Sequence, residues 1–173
     1  MVRPLPARPA ASTSDIRHRS MSLIDFLAPK AVIPALKVNS KKQAIVELAA
    51  RAAALTGQNK RLIVETLQQR EKLGSTGIGQ GVAIPHARLP KLDKLTGIFA
   101  RLDRAIQFDS LDNQPVDLIF LLLAPEGAGA DHLKALARIA RLLRDPEVAQ
   151  KLRESRKGEA LYAVLTVQPS AAA

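Results

Sequence analysis

Arg70, His86 and His132 are the side chains in this chain that could do chemistry together. His86 closes the stretch "GSTGIGQGVAIPH", which holds Gly74, Gly77, Gly79 and Gly81, four of the nine glycines present. Glycine suits a backbone that takes positive φ or lets another group come close. Histidine titrates near neutral pH and can act as a nucleophile. Arg70 lies near the end of the helix predicted just before the glycines, so its guanidinium can swing over them. His132 opens a helix after "EGAGAD", where free N–H groups and the dipole attract anions. A histidine nucleophile, a guanidinium, a second histidine and free amides would make a metal-free phosphoryl site. Each has a plainer reading too: a hydrogen-bonded histidine at a strand end, a surface arginine in "QQREK", an exposed first-turn histidine. Spacing alone leaves both readings open.

Several other chemistries are excluded. "GIGQG" has its third glycine one residue too early for a dinucleotide fingerprint, and it leads into "VAIPH", which reads as a strand rather than a helix. No Gly-Lys-Ser/Thr follows, so there is no P-loop. The absence of cysteine removes disulfides, thiolate nucleophiles and Cys-ligated metals, and fits a reducing cytoplasm. The longest apolar run, "LIFLLLA", is too short to cross a bilayer, and residues 1–20 carry no apolar core of a secretory signal. A formal charge of +10 raises nucleic acid as a partner, but aromatics are 3% with no Trp, so stacking platforms are nearly absent. The charge is read as a solvated basic surface. Lys134, Arg138 and Arg141 share one side of the His132 helix and could dock an acidic partner or simply face water.

The elements that must position these groups alternate along the chain. "MVRPLPARPAASTSD" has no hydrophobic period, so residues 1–20 are expected to be a disordered extension, and 168–173 a loose tail. Ser22 and Asp25 form a capping box for a short helix, "LIDFL". Residues 31–36 are a strand that Pro34 confines to an edge. Ser40 and Gln43 cap a helix ending at Gly57, and a second helix runs from about Lys60 to Lys72. Strands are expected near 95–102 and over 115–125. A helix from Asp131 to about Arg144 should turn Leu133, Leu136, Ala140 and Leu143 inward. Asp145-Pro146 starts the next helix, and "EALYAVL" forms the last. Strands alternating with helices predict an α/β fold, one compact domain over 21–167 with helices flanking a mixed sheet.

The segment "REKLGSTGIGQGVAIPHARL" closely resembles the active-site segment of the enzyme IIA proteins of the bacterial phosphotransferase system. The likeness is to the mannitol/fructose-like (type 2) group and its nitrogen-regulatory member. "MSLIDFLAPKAVIPAL" resembles the start of that family, "PVDLIFLLLAPEGAGADHLKALARIARLLRD" its second conserved block, and "EALYAVL" its final helix, so 21–167 is covered. The resemblance implies a mannitol-type IIA fold, a phosphoryl acceptor at His86, a phosphate-neutralising arginine at Arg70 and a second active-site histidine at His132. It implies that Ser75, Thr76, Gly77 and Gly79 face the phosphate, and that no metal or cofactor is needed. His18 lies outside it and receives no role. The implied donor is an HPr-type phosphocarrier, in its nitrogen paralogue. The implied targets are sensor kinases or potassium-transport proteins, with no nucleic acid and no direct membrane insertion. A free-standing sugar-specific IIA that passes the phosphoryl to a separate IIB is the alternative, and a basic binding module without phosphotransfer a more distant one.

Overall fold

A computed structural model describes residues 21–167. The expectations for 1–20 and 168–173, and for His18, lie outside the described residues. Two single 3-10 turns, Leu23–Asp25 and Pro29–Ala31, come first. The expected helix at "LIDFL" is therefore only one turn, although its capping box forms, with the Ser22 N–H donating to Asp25 Oδ2 at 3.0 Å. Then follow β1 (Val32–Leu36), α1 (Lys41–Thr56), α2 (Lys60–Lys72), β2 (Gly77–Gly79), β3 (Val82–Ala83), β4 (His86–Leu89), β5 (Thr96–Ile106), β6 (Val116–Pro125), α3 (Gly129–Arg144), α4 (Pro146–Glu154) and α5 (Gly158–Thr166).

One mixed sheet runs β1-β5-β6-β3-β2, with β4 also pairing to β6. β5 and β6 are antiparallel, whereas β1 runs parallel to β5 and both β3 and β4 run parallel to β6. Proline lacks a ladder donor, and Pro34 sits on the outer strand β1, where the pairing register shifts. Every residue from Leu118 to Ala124 is fully buried, so both faces of β6 are covered, as in helix-flanked sheets. α1 packs on β5 and α2 on β4, while α3 packs on β6 and α5 on β1.

Local caps fix the helix ends. Ser40 Oγ accepts from Gln43 N at 3.1 Å, Asn59 Oδ1 from Leu62 N at 3.1 Å, and Asp145 Oδ1 from Glu147 N at 2.9 Å. Gly57 ends α1 in the left-handed region, as a C-terminal glycine should.

The glycine segment, to which the sequence assigned no element, is a tight hairpin, β2–β3, turned by Gln80 and Gly81 at φ of 57° and 78°. That pair of left-handed residues suits the twist of a two-residue hairpin. The expectation for α3 is corrected. α3 begins at Gly129 rather than Asp131, and its inward face is His132, Ala135, Ile139 and Leu143. Leu133 is 65% exposed. Of the four residues expected inward, Leu143 is buried and Leu136 and Ala140 pack partly against the core, so Leu133 is the one that fails. A polar side chain, His132, goes inside instead.

Candidate functional site

Pro85 interrupts the chain between β3 and β4, so His86 opens a new strand rather than trailing an old one. It pairs with Leu122 of β6. The strand period of two puts His86 and Arg88 on one face while Ala87 and Leu89 are buried on the other. α2 delivers Arg70 from its last turn, and α3 delivers His132 from its first.

The His86 ring is held at both nitrogens. Its Nδ1 lies 2.9 Å from the Ile84 carbonyl, an acceptor only, so Nδ1 carries the proton. Nε2 then keeps its lone pair, and Arg70 Nε donates to it at 3.3 Å. Arg70 Nη1 donates to the Gly74 carbonyl at 3.0 Å, tying the guanidinium to the start of the glycine segment. Burial lowers the His86 pKa; the Ile84 carbonyl and Glu71 oppose that shift, and Arg70 and Arg88 add to it. The lowered pKa favours the neutral ring at pH 7, with a lone pair on Nε2.

His132 stands edge-on to it, with ring centroids 5.5 Å apart. Only 5% of this residue is exposed. Arg88 Nε donates to its Nδ1 at 3.1 Å, and its Nε2 is buried with no hydrogen-bond partner among the described residues. Burial first, then His86 and Arg88, push its pKa down to about 4.

The loop residues behave differently. Ser75 Oγ donates to the Phe108 carbonyl at 2.6 Å and accepts from the Gly77 N–H at 3.0 Å. Thr76 is buried, its N–H donating to Glu71 Oε2 at 3.1 Å and its hydroxyl to Glu71 Oε1. Glu71 is held in turn by Lys41 at 2.8 Å. Gly79 lies opposite Val82, at the level of Leu118 on β6, whereas His86 is at the level of Leu122. Four residues of strand separate those levels by about 13 Å. The structure thus brings Arg70, His86 and His132 together, and it does not bring Gly79 to them. The Ser75 and Thr76 hydroxyls and the Thr76 and Gly77 N–H groups bond within the protein, holding the shape of the loop. Arg88 was missed, although its place two residues after His86 on a strand signalled a shared face. Glu71 and Lys41 carried no such signal.

The site reaches the surface through exposed Arg88 and half-buried His86, with His132 buried behind them. A cavity of about 500 Å³ lined by Phe26, Lys30, Leu55, Lys94 and Tyr162 includes none of the four site residues. Among the described residues no helix is long and apolar enough to cross a membrane.

A "Nitrogen regulatory protein" of Bradyrhizobium diazoefficiens is 68% identical over 153 residues, covering 88% of this chain and 100% of that protein. The structure of Nitrogen Regulatory Protein IIA-Ntr from Neisseria meningitidis superposes with a TM-score of 0.80 at 37% identity, covering 84% of this chain and 100% of the other. The mannitol IIA of Escherichia coli shares the fold, with a TM-score of 0.68 at 18% identity over 80% of this chain and 97% of the other. The sequence pattern of one family, "Phosphoenolpyruvate-dependent sugar phosphotransferase system, EIIA 2", matches residues 25–167, and the chain belongs to that family.

Proposed function

We propose that this chain is a cytoplasmic phosphocarrier of the nitrogen-related phosphotransferase system, accepting a phosphoryl group on His86 Nε2 from a phosphorylated HPr-type carrier. The observation that carries this reading is the His86 ring itself. Its Nδ1–H is committed to the Ile84 carbonyl, which leaves the Nε2 lone pair beside Arg70 Nε. In the step, that lone pair attacks phosphorus as the bond from phosphorus to the donor's histidine nitrogen breaks, and the bonding pair returns to the donor ring. Transfer through a loose transition state needs alignment and charge stabilisation more than covalent help. Arg70 and the free Nε2–H of His132 are the groups that offset the roughly two negative charges of the product. A half-exposed His86 beside an exposed Arg88 suits a donor that is itself a protein.

The 68% identity to a nitrogen regulatory protein supports regulation as the output, with partner proteins such as sensor kinases or potassium-transport proteins responding to the phosphorylation state. Two added charges beside exposed Arg88 change the surface such a partner would meet. The family description names sugar phosphotransfer, which favours a second reading, delivery of the phosphoryl to a separate IIB protein. Intact mass after incubation with phosphoenolpyruvate, enzyme I and each HPr-type carrier tests the proposal. An acid-labile gain of one phosphoryl that disappears in His86→Ala is the expected result. No gain from either carrier rejects it. Onward loss of the phosphoryl to a IIB protein would select the sugar pathway.

A further inference from the structure

Resting on that reading, we propose that Arg88 is a positioning residue: by donating to His132 Nδ1 it keeps the ring proton on Nε2, the nitrogen left free to hydrogen-bond a phosphoryl group on His86. A neutral imidazole has one N–H and two places for it, and its other hydrogen bond decides which. Arginine has no acceptor, so a contact of 3.1 Å from Arg88 Nε requires a lone pair on His132 Nδ1. The proton must then sit on Nε2. That atom is buried and has no partner among the described residues, which is a costly state for a donor. Its ring meets the His86 ring edge-on at 5.5 Å, so the ring with the unpaired donor stands beside the ring with the lone pair.

The two rings are complementary as a result. The Ile84 carbonyl holds the His86 proton on Nδ1, leaving Nε2 as a lone pair, and Arg88 holds the His132 proton on Nε2, leaving it as a donor. The low pKa of His132 agrees with a ring that carries a single proton at pH 7. The opposite His132 tautomer would set a lone pair against the phosphoryl oxygens. Arg88 does this from the exposed side of β4, where its loss leaves no buried hole.

The test is ring-nitrogen NMR of His132 in the full chain at neutral pH, for wild type, Arg88→Ala and Arg88→Lys. Phosphorylation kinetics from the HPr-type carrier are measured on the same samples. The expected wild-type ring has an unprotonated Nδ1 and a protonated Nε2. In Arg88→Ala the Nδ1-protonated form becomes detectable and phosphorylation slows about tenfold, the scale of one charge-assisted hydrogen bond. Arg88→Lys, which restores a donor, recovers part of both. A protonated Nδ1 in wild type overturns the proposal, as does an unchanged tautomer in Arg88→Ala. Slower transfer with an unchanged tautomer would instead assign Arg88 to direct phosphoryl contact. A wild-type chain that accepts no phosphoryl while showing the expected tautomer would reject the proposed function rather than the ring assignment.

Discussion

The β2–β3 hairpin and the histidine pair both lie along β6, and they treat their polar groups in opposite ways. In the hairpin region most groups are consumed internally, although the buried Ser110 Oγ beside Gly77 has no partner among the described residues. Gly77 N–H goes to Ser75, Thr76 to Glu71, and Gln80 N–H to Asp112 at 2.9 Å. Arg153 Nη2 ties the Gln80 carbonyl to α4 at 2.8 Å while its Nε holds Asp117. The histidine pair keeps a lone pair on one ring and an unpaired, buried donor on the other. The family resemblance implied that both regions belong to one site. Satisfied groups make a scaffold, whereas a lone pair held only by a long 3.3 Å contact from Arg70 beside an unpaired buried donor makes a place for a ligand.

The sharpest way to break this division is His86→Ala. Phosphoryl uptake should vanish by intact mass while thermal unfolding stays close to wild type, because the side chain is only half-buried. Arg70→Ala comes next, slowing uptake about 10- to 100-fold through loss of a charged hydrogen bond to the acceptor, with stability unchanged. Equal rates would remove Arg70 from the site.

The hairpin should answer in the reverse sense. A Cβ at Gly77 would lie 2.3 Å from Ser110 Oγ and 3.1 Å from its Cα. Gly77→Ala is expected to cost about 2 kcal/mol by overpacking, read from denaturant midpoints, with uptake retained in the folded fraction. Uptake lost at full stability would place Gly77 in the phosphate site after all.

Acid probes the buried histidine. His132 in the folded chain has its pKa pushed down to about 4, below that of the unfolded chain, so between the two values the unfolded chain binds a proton that the fold refuses. Stability therefore falls as pH drops, by about 2 kcal/mol between pH 7 and pH 5 from this group. His132→Asn should flatten that slope in urea titrations at the two pH values, and an identical slope would count against a buried neutral ring. The smallest effect is expected from Lys134→Glu with Arg141→Glu, two exposed positions on α3. Association with the carrier should slow about threefold at low salt and hardly at high salt, if this face steers an acidic partner.

Much of the fold was legible because its rules are short-ranged. The caps Ser40 and Asp145 bond residues within one turn, and β6 announces itself as an unbroken apolar run. Where pattern failed, a longer-range contact had overruled it. The apolar spacing of α3 favoured Leu133, yet packing buried His132 against a strand far away in sequence.

The sequence by itself determined most of the elements, their caps, the left-handed end of α1 at Gly57 and the residue types gathered around His86, since each depends on neighbours a few positions apart. Tertiary structure decided which of those residues meet. Arg70 reaches His86 across 16 positions and Arg88 reaches His132 across 44. It also decided where each imidazole keeps its proton. A ring nitrogen takes its role from the donor or acceptor packed against it, and here those partners come from the pairing of β4 with β6 and the docking of α2 and α3 beside it.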